Sequence, residues 1–464
     1  MNHDEVVAGL IQEFRRGTLI MLVLSQLKEP MYGYNLVKVL VTLALFSLNS
    51  DSEHSMKYNS QQLSWLLYDP ANAAYALIVR TVFAPLFLGY CARGIYTDSQ
   101  ITSFWSICAS AAGIAAGVIS VLCGPWADRR CKKRFMVLLA TAAGILSTAG
   151  FILIPGRIPQ VVLALSFTGL MSYMIANSFY DSLLPDIAAP QERDHLSTTG
   201  YAWGYAGGVG SFLLCLAPVF MLKAPYSFYC AFAIAAVWWM LGTVPLYRNL
   251  REKVSTAENR NLRETFRYIF KQKNILLFLI SYFLYIDGVG TILLAATPLA
   301  DGLKISANDL LITILALQFI GLPCTIIYGK LAKRFSGRAM IIAAIAIYIL
   351  IALLVTSMSF CPSLKIRQII FIICAALIGT SQGGIQSLSR ALFSRIIPPD
   401  RAAELFAVYN IFGKFTTIVG PLFILIATAA TGKAELGITM LIIPFALGAY
   451  LLSRVRISAP GGEA

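Results

Sequence analysis

Apolar residues gather in twelve stretches along the chain, near 65–90, 101–122, 135–154, 161–180, 200–220, 228–247, 275–297, 309–328, 339–358, 369–386, 406–429 and 436–452. A helix needs about 20 mostly apolar residues to cross a bilayer, because hydrocarbon offers no partner for exposed backbone N–H and C=O groups. Each stretch therefore predicts a spanning helix. Polar segments divide the chain into an N-terminal extension (1–60), a six-helix bundle (61–247), a basic linker (248–274), a second six-helix bundle (275–452) and a tail (453–464). The halves repeat at an offset of 205 to 209 residues. The expected fold is an all-α membrane protein of twelve transmembrane helices in two pseudo-symmetric bundles.

Composition removes the soluble alternatives. The chain is 58% hydrophobic and 13% charged, with mean hydropathy +0.71, where soluble domains carry about 25% charge. Of the Lys and Arg residues in and around the connectors, 23 lie on one side of the predicted bundle and 7 on the other. Basic loops stay on the cytoplasmic side, so both termini are expected inside the cell membrane. This asymmetry accounts for much of the +14 net charge without a nucleic-acid partner, and none is expected.

Nine cysteines are scattered without a CxxC and read as small apolar fillers; neither a metal nor another cofactor is expected. With only His3, His54 and His195 and no hydrolase, metalloprotease or phosphate-loop pattern, an enzyme is not expected. The polar start lacks the basic cap and apolar core of a cleavable signal, so the first span is expected to serve as its own insertion signal.

The repeat extends to residues. Gly124-Pro-Trp-Ala127-Asp128-Arg129 and Gly329-Lys-Leu-Ala332-Lys333-Arg334 share a Gly-x-x-Ala-x-Arg pattern at an offset of 205. Glycine permits a tight helix approach, and the Asp can pair with basic groups at a neighbouring helix end. An ordinary basic loop is the alternative reading. A second pair of loops repeats at 209: Tyr180-Asp181 through Asp186 to Pro190 aligns with Ser389-Arg390 through Arg395 to Pro399. Asp181 thus answers Arg390, and Asp186 answers Arg395. These groups, with Asp128 and Arg129, read as a cytoplasmic gate closing between the halves, or as interfacial charges each solvated on its own.

The first of the Gly-x-x-Ala-x-Arg loops resembles the loop signature of the major facilitator superfamily; the second departs at Lys333, where the signature has Asp. More specifically, Trp65-Leu-Leu-Tyr68-Asp69-Pro70-Ala-Asn72-Ala-Ala-Tyr75-Ala76 resembles the opening of its vacuolar amino-acid effluxer-like (autophagy-related 22-like) branch, departing at Pro70. Leu184-Pro-Asp186-Ile-Ala188, Gly200-Tyr-Ala-Trp-Gly-Tyr205, Tyr285-Ile-Asp287-Gly-Val289, Gln386 to Phe393 and Tyr409 to Phe415 extend the resemblance from Tyr68 to Pro421. It implies a twelve-helix secondary transporter of the major facilitator fold, with amino-acid efflux as the activity of the fungal vacuolar members. It also implies a monomer.

Charges within the spans are the leading site candidates, since a charge at mid-bilayer is costly unless it meets water or a partner. Arg80, Asp287 and Lys414 qualify. Arg80 and Asp287 are 207 residues apart, near-equivalent positions on the first and seventh spans, which line the central cavity in the superfamily. Asp287 is read as the site of a proton or a cationic substrate group, Arg80 and Lys414 as anchors for an anionic group, and Tyr282 and Tyr285 as hydrogen-bonding neighbours. A permanent ion pair fixing helix packing is the alternative. The resemblance covers Asp287 and the basic residue at 414, but not Arg80, where relatives carry an apolar residue. Asp69 and Asn72, at the inner end of the first span, read as gate residues or as a helix start.

Residues 14–34 resemble the opening of PadR-type winged-helix regulators over a short segment without a recognition helix or wing, so no DNA binding follows. Alternatively 36–48, too short to span, lies on the membrane surface. The function expected is therefore a secondary active transporter of a small polar solute, an amino acid or similar, with protons as a coupling ion to be tested. A membrane-bound sensor or regulator that retains a transporter body is the other reading.

Overall fold

The computed structural model describes residues 58–154, 158–253, 262–305, 307–414, 426 and 434–456. The first 57 residues, which carry the regulator-like and surface-helix readings, lie outside them. The described chain is helical, with no strand and one isolated bridge between Arg93 and Tyr96. Its main helices are α1 (Ser60–Ala92), α2 (Asp98–Arg130), α3 (Lys133–Gly150), α4 (Pro159–Ser182), α5 (Arg193–Met221), α6 (Tyr226–Asn249), α7 (Leu262–Lys271), α8 (Lys273–Gly302), α9 (Ala307–Phe335), α10 (Gly337–Met358), α11 (Leu364–Ile396), α12 (Ala402–Lys414) and α13 (Ile442–Arg454).

Ten helices among the described residues are long and apolar enough to cross a membrane. The predicted eighth span corresponds to α9, 29 residues long. The predicted eleventh is described from its start to Lys414, the end of α12, and at Ile426. Hydropathy alone misjudges the ends. The tenth stretch was expected to stop near 386, yet α11 continues to Ile396, and the fifth was expected to begin near 200, yet α5 starts at Arg193. The added turns are polar and packed against protein, where helices need no apolar surface.

Two hydrophobic cores form. One gathers Trp65 to Leu250 and admits Ala403 from the second half; the other gathers Ile269 to Val455 and admits Val121 from the first. Around them the outer surface is apolar: Ile107, Ile114, Val118 and Leu122 form an exposed stripe on α2, and Leu146 is 71% exposed. In water such a surface would drive association; against acyl chains it is the expected exterior.

Local chemistry sets the helix boundaries. Asn59 and Gln62 form a capping box at the start of α1, and Thr97 with Gln100 does the same for α2, satisfying N–H groups that a first turn leaves unpaired. Asp69 and Asn72 therefore do not start a helix, because α1 begins nine residues before Asp69. Pro70 lies inside α1, where its missing N–H and its ring normally break a helix. The neighbouring α5 accommodates it with Gly207, since a Cβ there would collide with Pro70. Beyond it, Tyr75–Phe83 winds as a π-helix, and the Thr81 hydroxyl donates to the Ala76 carbonyl at 2.8 Å.

Replacing Gly207 with Ala is expected to destabilise the first bundle by roughly 1–3 kcal/mol, the usual cost of overpacking. Thermal unfolding of the purified protein in detergent checks this; an unchanged midpoint would mean that α1 and α5 are not packed as described.

Candidate functional site

The polar end of α11 carries Arg390 into the junction between the two bundles. Only 2% of it is exposed. Its Nη1 lies 3.1 Å from Asp181 of α4 and its Nη2 lies 3.5 Å from Asp69 of α1. Nε donates to the Ser197 hydroxyl at 2.8 Å, and Nη2 to the Ser197 carbonyl at 3.1 Å. The guanidinium also lies over the rings of Trp65 and Tyr201, 4.6 Å from each centre. An unpaired buried ion costs several kcal/mol, so a guanidinium this enclosed requires its whole set of partners. All of those partners come from the first bundle.

The surroundings are built to hold it. Trp65 and Tyr180 stack at 4.6 Å; the indole donates to the Tyr180 carbonyl, and the Tyr180 hydroxyl donates to the Trp65 carbonyl. Asn410 of α12 donates to the second oxygen of Asp181 at 3.2 Å. Gly200 of α5 leaves room, since a Cβ there would strike the Asp69 carboxylate and stand 3.3 Å from Arg390 Nη2.

A second set of contacts joins the bundles nearby. Asp128, at the end of α2, accepts from the backbone N–H groups of Ala403 and Glu404, both at 2.9 Å. It thus caps α12 across the junction, where a carboxylate is favoured by unpaired N–H groups and the helix dipole. Gly124, one turn earlier, permits the approach: a Cβ there would lie 2.8 Å from the Glu404 backbone. In the second copy of this loop Lys333 is exposed, while Gly329 packs against Thr198. Arg129 is half-buried and joins none of these ion pairs among the described residues.

Asp186 and Arg395 do not meet as their spacing had predicted. Asp186 pairs with Lys133 of α3 at 3.1 Å, and Lys133 also approaches Asp128 at 3.5 Å. Arg395 pairs instead with Asp194 of α5 at 2.7 Å. Arg193 donates to the Ser394 carbonyl at 2.5 Å, and Ser197 to the Ser387 carbonyl at 2.7 Å. Glu252, following α6, accepts from the Lys133 and Arg134 N–H groups at 2.8 and 2.9 Å and caps α3. Burial is the largest influence on its carboxyl and raises its pKa, with those two N–H groups opposing.

Deeper candidates are arranged differently from one another. Arg80 lies on the π-helical segment of α1 and is exposed. Eleven residues along α1 separate it from Asp69. Its guanidinium lies 6.0 Å from the centre of the Tyr173 ring. Asp287 is 1% exposed, inside the second bundle. Tyr282 and Tyr285 are also buried. Tyr282 stacks on Tyr409 of α12 at 4.1 Å, and the Tyr285 and Ser389 hydroxyls lie 2.6 Å apart, so Tyr285 braces α11, the helix that carries Arg390. Asn72 donates to Asn177 at 2.5 Å. The Lys414 side chain lies outside the described residues.

Charge spacing did not single out Lys133, Asp194, Ser197, Tyr201 or Asn410. No group of three or more metal-ligating side chains occurs among the described residues.

Comparison with known proteins gives concordant results. A family model described as "Vacuole effluxer Atg22 like" matches residues 94–460. The uncharacterized MFS-type transporter YxiO of Bacillus subtilis is 33% identical over 416 residues, covering 86% of this chain and 95% of its own. Autophagy-related protein 22 of Cryptococcus neoformans is 23% identical over 58% of this chain, a match that spans about half (51%) of that relative. The solved proton:xylose symporter XylE has the same fold, with TM-score 0.68 at 14% identity, covering 86% of this chain and 95% of that one.

Charge exchange separates the observed pairs from those that spacing suggested. Arg395→Asp is expected to lower the thermal midpoint, and Asp194→Arg combined with it to restore most of the loss. Asp186→Arg combined with Arg395→Asp is expected to be worse than either change alone. Rescue by the Asp186 combination rather than the Asp194 one would contradict the contacts described.

Proposed function

The chain belongs to the Atg22-like vacuole effluxer family of the major facilitator superfamily, and from that premise we propose that it moves a small carboxylate-bearing solute, such as an amino acid, by alternating access. Membership of this family makes it a multi-pass secondary transporter and not an enzyme. The finer reading rests chiefly on the buried Arg390 clasp. A junction sealed by Arg390, Asp181 and Asp69 is closed to solute at the end where the basic loops gather. Applied to those loops, the positive-inside rule makes this the cytoplasmic gate, with both termini inside the cell membrane.

In this reading Arg80 holds the anionic group of the solute. Its exposure supports that role, as does the π-helical segment that carries it, a feature frequent at functional sites. Asp287 takes up a proton or a cationic group, because a carboxyl withdrawn into the second bundle changes charge only with a compensating ion. Lys414 remains a second candidate for the anion. The transporter works as a monomer.

Flux in proteoliposomes, screened over amino acids and short peptides, tests this function. Asp287→Asn is expected to abolish coupled flux while leaving expression and thermal midpoint unchanged. Arg80→Gln is expected to raise KM for carboxylate-bearing solutes roughly 10- to 100-fold, the loss of one charge-assisted contact. Binding without flux in the unaltered protein would contradict transport. Unchanged KM in Arg80→Gln would remove Arg80 from the site.

A further inference from the structure

The linker between the bundles contains a helix that the transport reading leaves unused. In α7, Thr265 and Ile269 are buried against the protein, and Ile269 belongs to the core of the second bundle. Leu262, Phe266 and Phe270 follow one another at four-residue spacing and are 37%, 41% and 67% exposed. Arg263, Arg267 and Lys271 repeat at the same spacing one position on, and all three are exposed. At 100° per residue the helix presents three adjoining strips in order: the protein-facing one, an apolar one and a basic one.

This order has a chemical meaning. A soluble surface helix has no reason to expose two phenylalanines beside its buried face. A helix lying in a bilayer interface does, because its apolar strip enters the acyl boundary while the neighbouring basic strip stays among headgroups. Position supports the same assignment: only Gln272 separates α7 from α8, a spanning helix. The Leu276 N–H donates to the Gln272 carbonyl, so the turn is continuous and holds α7 at the membrane boundary.

We infer that α7 is a docking surface for an anionic lipid leaflet, with Phe266 and Phe270 in the acyl boundary and Arg263, Arg267 and Lys271 on acidic headgroups. Charge complementarity selects the leaflet: each basic side chain near such a surface gains attraction that a zwitterionic one does not supply. The anchored helix also reaches the second set of inter-bundle contacts. The Arg401 guanidinium lies 3.9 Å from the centre of the Tyr268 ring and pairs with Glu404 at 3.1 Å, whose N–H is capped by Asp128. Arg401 therefore links α7 to the inter-bundle junction.

The test uses the full-length chain carrying Phe270→Trp, with the parent subtracted, reconstituted in vesicles of phosphatidylcholine and phosphatidylglycerol. Bromine is placed on the acyl chains of one lipid at a time. The added emission is expected to be quenched by the brominated chains, protected from aqueous iodide, and quenched about twofold or more strongly when the bromine is on phosphatidylglycerol, in line with several basic contacts. Combining Arg263→Gln, Arg267→Gln and Lys271→Gln is expected to equalise the two lipids without changing the thermal midpoint. Iodide quenching without a bromolipid effect would place the strip in water and overturn the inference. Protection from both quenchers would assign it to a protein partner and do the same, and equal quenching by the two lipids in the unneutralised protein would remove the anionic selection. None of these readouts depends on solute flux.

Discussion

A guanidinium withdrawn from water dictates the rest of this junction. Arg390 belongs to the second bundle, but its carboxylates, its hydroxyl partner and its aromatic walls belong to the first. Separating the bundles at this end would leave a buried cation on one side and two carboxylates on the other, each costly until water reaches it. That makes the junction strong while dry and readily broken once wet, the behaviour required of a gate. Many surrounding features exist to keep the arrangement closed: Gly200 admits the contact, Tyr285 braces Ser389, and Asn410 holds the second oxygen of Asp181.

The neighbouring contacts distribute the same task over neutral dipoles. Asp128 binds the first N–H groups of α12, and Arg193 and Ser197 bind carbonyls of α11. Such contacts need close backbone approach, which explains Gly124 beside the α12 N-terminus. The two loop copies have therefore diverged for cause. The first carries an acid aimed at a helix end, whereas the second carries Lys333, which is exposed.

Much of this was legible in the sequence, and the part that was not has a common physical origin. Spans appear in hydropathy because hydrocarbon imposes one requirement on every residue it touches. Their polar extensions do not, because turns buried against protein escape that requirement; α11 therefore runs past 386 to carry Arg390. The repeat offset brought Asp181 to Arg390, and the structure places them 3.1 Å apart. The same offset failed for Asp186 and Arg395. Equivalent residues of two pseudo-symmetric halves oppose each other only close to the symmetry axis; five residues further along, other neighbours intervene, here Lys133 and Asp194. Tyr282 and Tyr285 lie with their rings in the second core, a placement that composition does not specify.

Hydrogen exchange on the intact protein, compared between the unaltered chain and Arg390→Ala, measures the central claim most directly. If Arg390 holds the basic end shut and the opposite end opens in turn, residues 181–197 and 390–404 will exchange faster in the variant while connectors 93–98 and 222–226 exchange more slowly. Faster exchange confined to the neighbourhood of residue 390, with the opposite end unchanged, would contradict the account.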